Sequence, residues 1–156
     1  RRQRQMCIRD SVNGLDAKVS ATLRPLRKLY VTTRLQYTYQ QAIDVTNPAD
    51  TYYRDQIPYI PWNSGSAVVQ MDYGTWGLNY SFIYTGERYN QQENIIYNHT
   101  QPWYTHDLSL QKVFSWKSYK ARVALEVNNL FSQDYDVILN YPMPKRNYRL
   151  TLTFEM

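Results

Sequence analysis

The sequence predicts an all-β fold, an antiparallel up-and-down transmembrane β-barrel segment of about seven strands. Three observations predict it: apolar and polar side chains alternate through seven segments, those segments are long, and the connections between them alternate between short and long. Alternation with a period of two puts successive side chains on opposite faces of a sheet. Most of the segments run about ten to fifteen residues, where soluble strands average about five to six and a tilted bilayer-spanning strand needs about nine to eleven.

Composition agrees, since 16 Tyr and 4 Trp stand against 5 Gly, and aromatic side chains suit a pleated, half-covered surface. In the first segment Leu15, Ala17, Val19, Ala21 and Leu23 share one face, and Asp16, Lys18, Ser20, Thr22 and Arg24 the other. The second sets Val31, Thr33, Leu35, Tyr37, Tyr39 and Ile43 against Thr32, Arg34, Gln36, Thr38 and Gln40. A shorter third sets Ala67, Val69, Met71 and Tyr73 against Ser66, Gln70 and Asp72. The fourth opposes Trp76, Leu78, Tyr80, Phe82 and Tyr84 to Thr75, Asn79, Ser81 and Thr85, with Ile83 a large apolar residue on the polar side. The fifth opposes Leu108, Leu110, Phe114 and Trp116 to Asp107, Ser109, Gln111 and Ser115. In the sixth, Tyr119, Ala121, Val123, Leu125 and Val127 face away from Lys120, Arg122, Glu126 and Asn128. The last has Tyr148, Leu150, Leu152, Phe154 and Met156 opposite Arg149, Thr151, Thr153 and Glu155.

Short connections fall at Arg24–Lys28, Gly74 and Lys117-Ser118, and long ones at Asp44–Gly65, Asn90–Trp103 and Ser132–Lys145. Tight turns at one rim and long loops at the other give this rhythm in a membrane barrel. Counting seven strands through it leaves the C-terminus on the short-turn side, which in such a barrel is periplasmic. The apolar faces carry Tyr73, Trp76, Trp116, Tyr119 and Phe154 toward the short turns, and Tyr37, Tyr39, Phe82, Tyr84, Phe131 and Tyr148 toward the other ends. Rings at two levels match two membrane girdles. Lys112 breaks the pattern on the apolar face. A lysine facing lipid costs roughly 2–4 kcal/mol at the midplane and less near an interface, so it either snorkels or marks a bulge.

The net charge of +5 is concentrated at the start, where Arg1, Arg2, Arg4 and Arg9 stand against Asp10. No basic stripe interleaved with aromatics follows, so a nucleic-acid partner is not expected. A lone Cys7 excludes an internal disulfide and a Cys-rich metal knuckle. No apolar run is long enough for a membrane helix. Residues 1–11 (RRQRQMCIRDS) match nothing that follows, and Met6–Ser11 resembles an adapter-derived stretch. They are set aside from fold reasoning as a non-matching, artefactual segment, the alternative being a flexible native end.

In the final third, Asn128-Asn129-Leu130-Phe131 closes a strand, Tyr135 follows, and Tyr141-Pro142-Met143-Pro144-Lys145-Arg146 opens the last one. In these residues the chain resembles the C-terminal end of TonB-dependent receptors. Gln56-Ile57-Pro58-Tyr59-Ile60-Pro61-Trp62-Asn63-Ser64-Gly65-Ser66 and Tyr84-Thr85-Gly86-Glu87-Arg88-Tyr89 are similar to barrel segments of the same family, particularly its cobalamin-receptor-like branch. Taken over 12–156, the resemblance implies the C-terminal portion of a barrel of about 22 strands, a transporter and not an enzyme. It implies outer-membrane localisation, a plug domain and TonB-contacting region elsewhere in the full-length protein, and energised import of a scarce nutrient of the cobalamin, siderophore, haem or glycan class. Tyr148, Leu150, Leu152 and Phe154 match the terminal strand that the barrel-assembly machinery reads. The chain departs from the family in Lys145, where Gly is usual, and in ending on Glu155-Met156 after its last aromatic residue.

Aromatic side chains gather in the long loops, and Tyr52, Trp62 and Trp103 are the ligand-binding candidates, because exposed rings stack on corrins, siderophores or sugars. Packing within the loops is the plainer role for each. Asp44, Asp50 and Asp55 flank the first loop, where some cobalamin receptors hold calcium, but their spacing matches no calcium loop. No resident cofactor or metal is expected. His99 and His106 read as a loop residue and a strand-start residue. His106, Asp107 and Ser109 have the residue types of a catalytic triad, but strand neighbours point to opposite faces. Two other architectures share the alternation: a complete small outer-membrane barrel with an eighth strand before Val12, and a soluble β-sandwich carbohydrate-binding module.

Overall fold

The computed structural model describes residues 9–117 and 119–155. In chain order the strands are β1 (Asp10–Leu26), β2 (Leu29–Asp44), β3 (Asn63–Tyr73), β4 (Trp76–Thr85), β5 (Arg88–Tyr89), β6 (His99–Thr100), β7 (Trp103–Trp116), β8 (Tyr119–Asn128), β9 (Asp136–Ile138), β10 (Tyr141–Pro142) and β11 (Asn147–Glu155). Seven of them form one antiparallel sheet in the order β1-β2-β3-β4-β7-β8-β11. Each long strand therefore pairs with its sequence neighbours, the up-and-down arrangement that alternation of turns and loops anticipates. The pairs β5–β6 and β9–β10 are small hairpins inside the second and third long connections.

Register explains the two faces. Leu23, Val31, Met71, Leu78, Leu110, Leu125 and Leu150 follow one another across all seven strands as direct partners. On the opposite face, Thr22, Thr32, Gln70, Asn79, Ser109, Glu126 and Arg149 do the same. A slip by one residue in any strand would exchange the two sets, so the sequence holds the register tightly. Among the described residues no second layer covers either face of the sheet. Ala42 is the one apolar side chain fully buried among the described residues, whereas Leu15, Leu150 and Phe154 are 66%, 64% and 73% exposed. A sandwich would bury this face against a second sheet. An apolar face that wide, with nothing over it, is a surface made for lipid.

Strand ends differ from those read in the sequence. β3 begins at Asn63 and β7 at Trp103, earlier than the alternation suggests. Asn63, Ser64 and Gly65 lack large apolar side chains, yet their backbones pair with Tyr37–Tyr39 on one side, and Ser64 and Gly65 with Tyr84 and Thr85 on the other. β1 begins at Asp10, which pairs with Asp44, and Arg9 exchanges hydrogen bonds with Val45 and Thr46. Residues 9–11 of the set-aside segment are thus paired, while residues 1–8, including Cys7, lie outside the described residues, as do Ser118 and Met156. At the β3–β4 turn Gly74 has φ 60°, which a tight hairpin demands at its first central position and which glycine adopts without steric cost.

Lys112 lies in regular register, paired with Trp76 on one side and Val123 on the other, with no bulge. Its ammonium stands 4.4 Å from the centre of the Trp76 ring and 4.9 Å from that of Phe114. Of the two explanations for a lysine on this face, the regular register removes the bulge, and the ammonium lies over aromatic rings beside the Gly74-Thr75 turn.

Candidate functional site

The three long connections, 45–62, 86–102 and 129–146, emerge at the same end of the sheet. They are not free loops. Gln56 pairs with Ile43 of β2, and the amide of Ile57 donates to the carbonyl of Ala42, so the first loop folds back along its own strand. The buried Gln56 amide then donates to the carbonyls of Ile60 at 2.6 Å and Glu87 at 3.5 Å, tying the first loop to the second. Arg88, only 2% exposed, reaches from the second loop to the third, where one guanidinium nitrogen donates to the carbonyls of Asp136 at 2.6 Å and Val137 at 3.2 Å. Its other terminal nitrogen is enclosed without a partner. Burial lowers the Arg88 pKa from its ordinary value, against the nearby Tyr59 and Asp136, which act to raise it.

Asn129 braces the third loop from within. It adopts φ 51°, its amide donates to Gln133 and Pro144 carbonyls, and its side-chain oxygen accepts from the Gln133 N–H at 2.8 Å. Its backbone N–H donates to Asp107 of β7 at 2.8 Å, anchoring the loop to the polar face. Asparagine tolerates this left-handed backbone better than other non-glycine residues and satisfies the local polar groups itself. Gln56, Arg88 and Asn129 all fall in the segments that carry the family resemblance. Their bracing role was invisible in the sequence, because the carbonyls they hold are brought to them only by the folded loops: Gln56 and Arg88 reach into a neighbouring loop, and Asn129 closes its own.

Trp103 stacks on Tyr135 with ring centres 4.4 Å apart, and the two border a cavity of about 450 Å³ together with His99, Gln133, Asp134 and Asp136. Burial, and then the charge of Asp107, push the Tyr135 pKa up. Trp62 ends the first loop, and both its indole nitrogen and that of Trp103 are enclosed without a hydrogen-bond partner. Tyr52 is half-buried, its phenol pushed up by the loss of water around it and then by the carboxylates of Asp50 and Asp44. The structure therefore places all three candidate aromatics at the long-loop end, but only Trp103 borders the cavity. Tyr97, by contrast, is 88% exposed.

The three aspartates of the first loop are engaged separately. Asp44 accepts from the Thr46 N–H, Asp50 from the Asn47 amide and Asp55 from the Asn94 N–H. Among the described residues no group of three or more His, Cys, Asp or Glu converges as a metal site. His106 stands inside β7 rather than at its start, on the apolar face, with Nδ1 2.6 Å from the Tyr80 hydroxyl and its ring 4.9 Å from Phe82 and 4.8 Å from Phe131. Ser109 and Asp107 lie on the other face, so the three residue types never meet. His99 lies 3.3 Å from Glu87. Tyr148, Leu150, Leu152 and Phe154 share the apolar face of β11, which forms one edge of the sheet.

On the polar face Asp16 accepts from the Thr38 hydroxyl, Gln70 donates to Asp72 at 2.9 Å, and Arg149 pairs with Glu126 at 3.4 Å. A face of mixed charge and short polar networks is what a barrel lumen presents.

Comparison with curated proteins gave no match. The family model described as TonB dependent receptor-like, beta-barrel matches residues 9–130. That range takes in the paired residues 9–11 and stops before β11. Members of that family are outer-membrane transporters for nutrients rather than enzymes, and generally work with TonB and a plug domain. With the seven-stranded sheet and its lipid-ready face, this match shows that the chain belongs to the TonB-dependent receptor β-barrel family.

Proposed function

We propose that this chain forms the C-terminal sector of the barrel wall in such a receptor, of the cobalamin-receptor-like branch. Its short turns face the periplasm, and its three braced loops form part of the external vestibule. The observation that carries this reading is the combination of two registered faces with loops of two lengths. A lipid-facing apolar set, a polar set and one rim of cross-braced loops are together what an import pore needs. The edges β1 and β11 then pair with strands supplied by the rest of a barrel of about 22 strands. The cargo is a scarce nutrient of the cobalamin, siderophore, haem or glycan class.

In this reading the Trp103 side of the vestibule is the ligand contact within the chain. The cavity it borders combines a stacked aromatic pair with the carboxylates of Asp134 and Asp136 and the Gln133 amide, a pairing of apolar platform and orienting polar groups that suits a polar ring compound. Tyr52 and Trp62 contribute by shaping the first loop. The set Tyr148, Leu150, Leu152 and Phe154 is the terminal signal for barrel assembly. No step requires a resident cofactor, metal or nucleic acid.

Surface labelling of the full-length receptor in intact cells tests the orientation. A cysteine replacing Tyr97 should react with a membrane-impermeant maleimide, and one replacing Thr75, exposed in the β3–β4 turn, should react only after the outer membrane is breached. Growth on limiting cobalamin, haem, ferric siderophores and glycans, with wild type and Trp103→Ala compared, identifies the cargo. Indifference of every uptake to loss of TonB would sink the transport mechanism.

A further inference from the structure

Lys112 is the one Lys, Arg, Asp or Glu on the apolar face of the seven strands among the described residues. Among those residues no carboxylate pairs with it: their ion pairs are His99–Glu87, Lys145–Asp134 and Arg149–Glu126. The rings of Trp76 and Phe114 attract the ammonium through their faces. They accept no ordinary hydrogen bond, however, and an ammonium has three donors to satisfy. Beside it, Leu110 pairs with Leu125, and together with Val123 they floor a shallow apolar groove of about 240 Å³ that begins at Trp76. The turns at the same rim add Arg27, Lys28 and Lys117.

We propose that Trp76, Lys112 and Phe114 form a headgroup site for an anionic glycerophospholipid of the periplasmic leaflet, with one acyl chain lying along Leu110, Val123 and Leu125. Charge complementarity selects this occupant. A phosphodiester supplies both the negative charge and the acceptor oxygens that Lys112 lacks, and the adjoining groove supplies apolar contact for a chain. The site stands beside the β3–β4 turn, at the depth where a headgroup meets hydrocarbon. A zwitterionic lipid brings its own ammonium into the same space and is disfavoured. The site rests on the orientation proposed above, and the experiment separates the two.

The test uses the full-length receptor in mild detergent, with bound lipid followed by native mass spectrometry against phosphatidylglycerol, phosphatidylcholine and lipid A. Wild type should retain phosphatidylglycerol over phosphatidylcholine. Lys112→Gln should weaken that retention about fivefold, the size expected for one basic residue near an anionic surface, while Lys112→Arg should preserve it. Should Lys112→Gln fail to assemble, quenching of Trp76 in the otherwise wild-type receptor by phosphatidylglycerol brominated in its acyl chain gives the same answer, read as the difference from Trp76→Phe. Equal retention by wild type and Lys112→Gln, or equal quenching by brominated phosphatidylcholine, would overturn the site. Lys112-dependent retention of lipid A in place of phosphatidylglycerol would overturn the leaflet assigned. Labelling of Thr75→Cys from outside intact cells would overturn the orientation, independently of the lipid result.

Discussion

Arg88 shows how much a single side chain can hold. Its guanidinium joins the second loop to backbone carbonyls of the third while sealed from water, and hydrogen bonds from charged groups contribute about 1.5–3 kcal/mol each. Arg88→Met should therefore leave the sheet intact but raise proteolytic cleavage of the 129–146 loop severalfold in the assembled receptor. Unchanged cleavage would mean that the clamp is not limiting. Tyr135 predicts a pH effect. A tyrosine whose folded pKa is raised contributes stability in full below the ordinary value of 10.0 and loses it as pH climbs through the folded value. Indole fluorescence of the receptor should thus show an alkaline loosening of the Trp103 stack that Tyr135→Phe lacks. An identical alkaline transition in the variant would exclude Tyr135 as its source.

At the scale of elements, turns and strands carry different information. Gly74→Val forces a branched side chain to φ 60°, a penalty of roughly 1–2 kcal/mol, and should lower the yield of heat-modifiable folded receptor more than Thr75→Val does. Phe154→Ala, on the exposed edge strand, should reduce outer-membrane levels without altering the transcript; undiminished levels would remove Phe154 from the assembly signal. All seven long strands and both their faces were legible in the sequence, because period-two alternation is a local property of the chain. Their ends were less so. Asn63 and Trp103 join strands through backbone pairing with Tyr39 and Thr85, neighbours that lie far back along the sequence. The loop braces were hidden for the same reason. Gln56 and Arg88 look like ordinary solvated residues until a distant carbonyl is placed over them, and the enclosure of the Trp62 and Trp103 indole nitrogens is equally a product of the folded loops.

For the whole molecule, the apolar face has meaning only if something apolar covers it, and neither a second layer nor a folded-back loop does so among the described residues. Two residues separate a lipid-facing wall from a surface that merely follows hydrophobicity. Ile83 is apolar but lies on the polar face beside Ser66 and Thr105, whereas Lys112 is charged but lies on the apolar face. Nitroxide scanning through β4 and at position 112 in the reconstituted full-length receptor, with oxygen and a water-soluble nickel complex as competing relaxants, measures which face meets which medium. Oxygen should dominate at Leu78, Tyr80, Phe82 and Lys112, and nickel at Asn79, Ser81 and Ile83. Accessibility without a two-residue period, or with Ile83 grouped with Phe82, would contradict the assignment of this sheet as barrel wall.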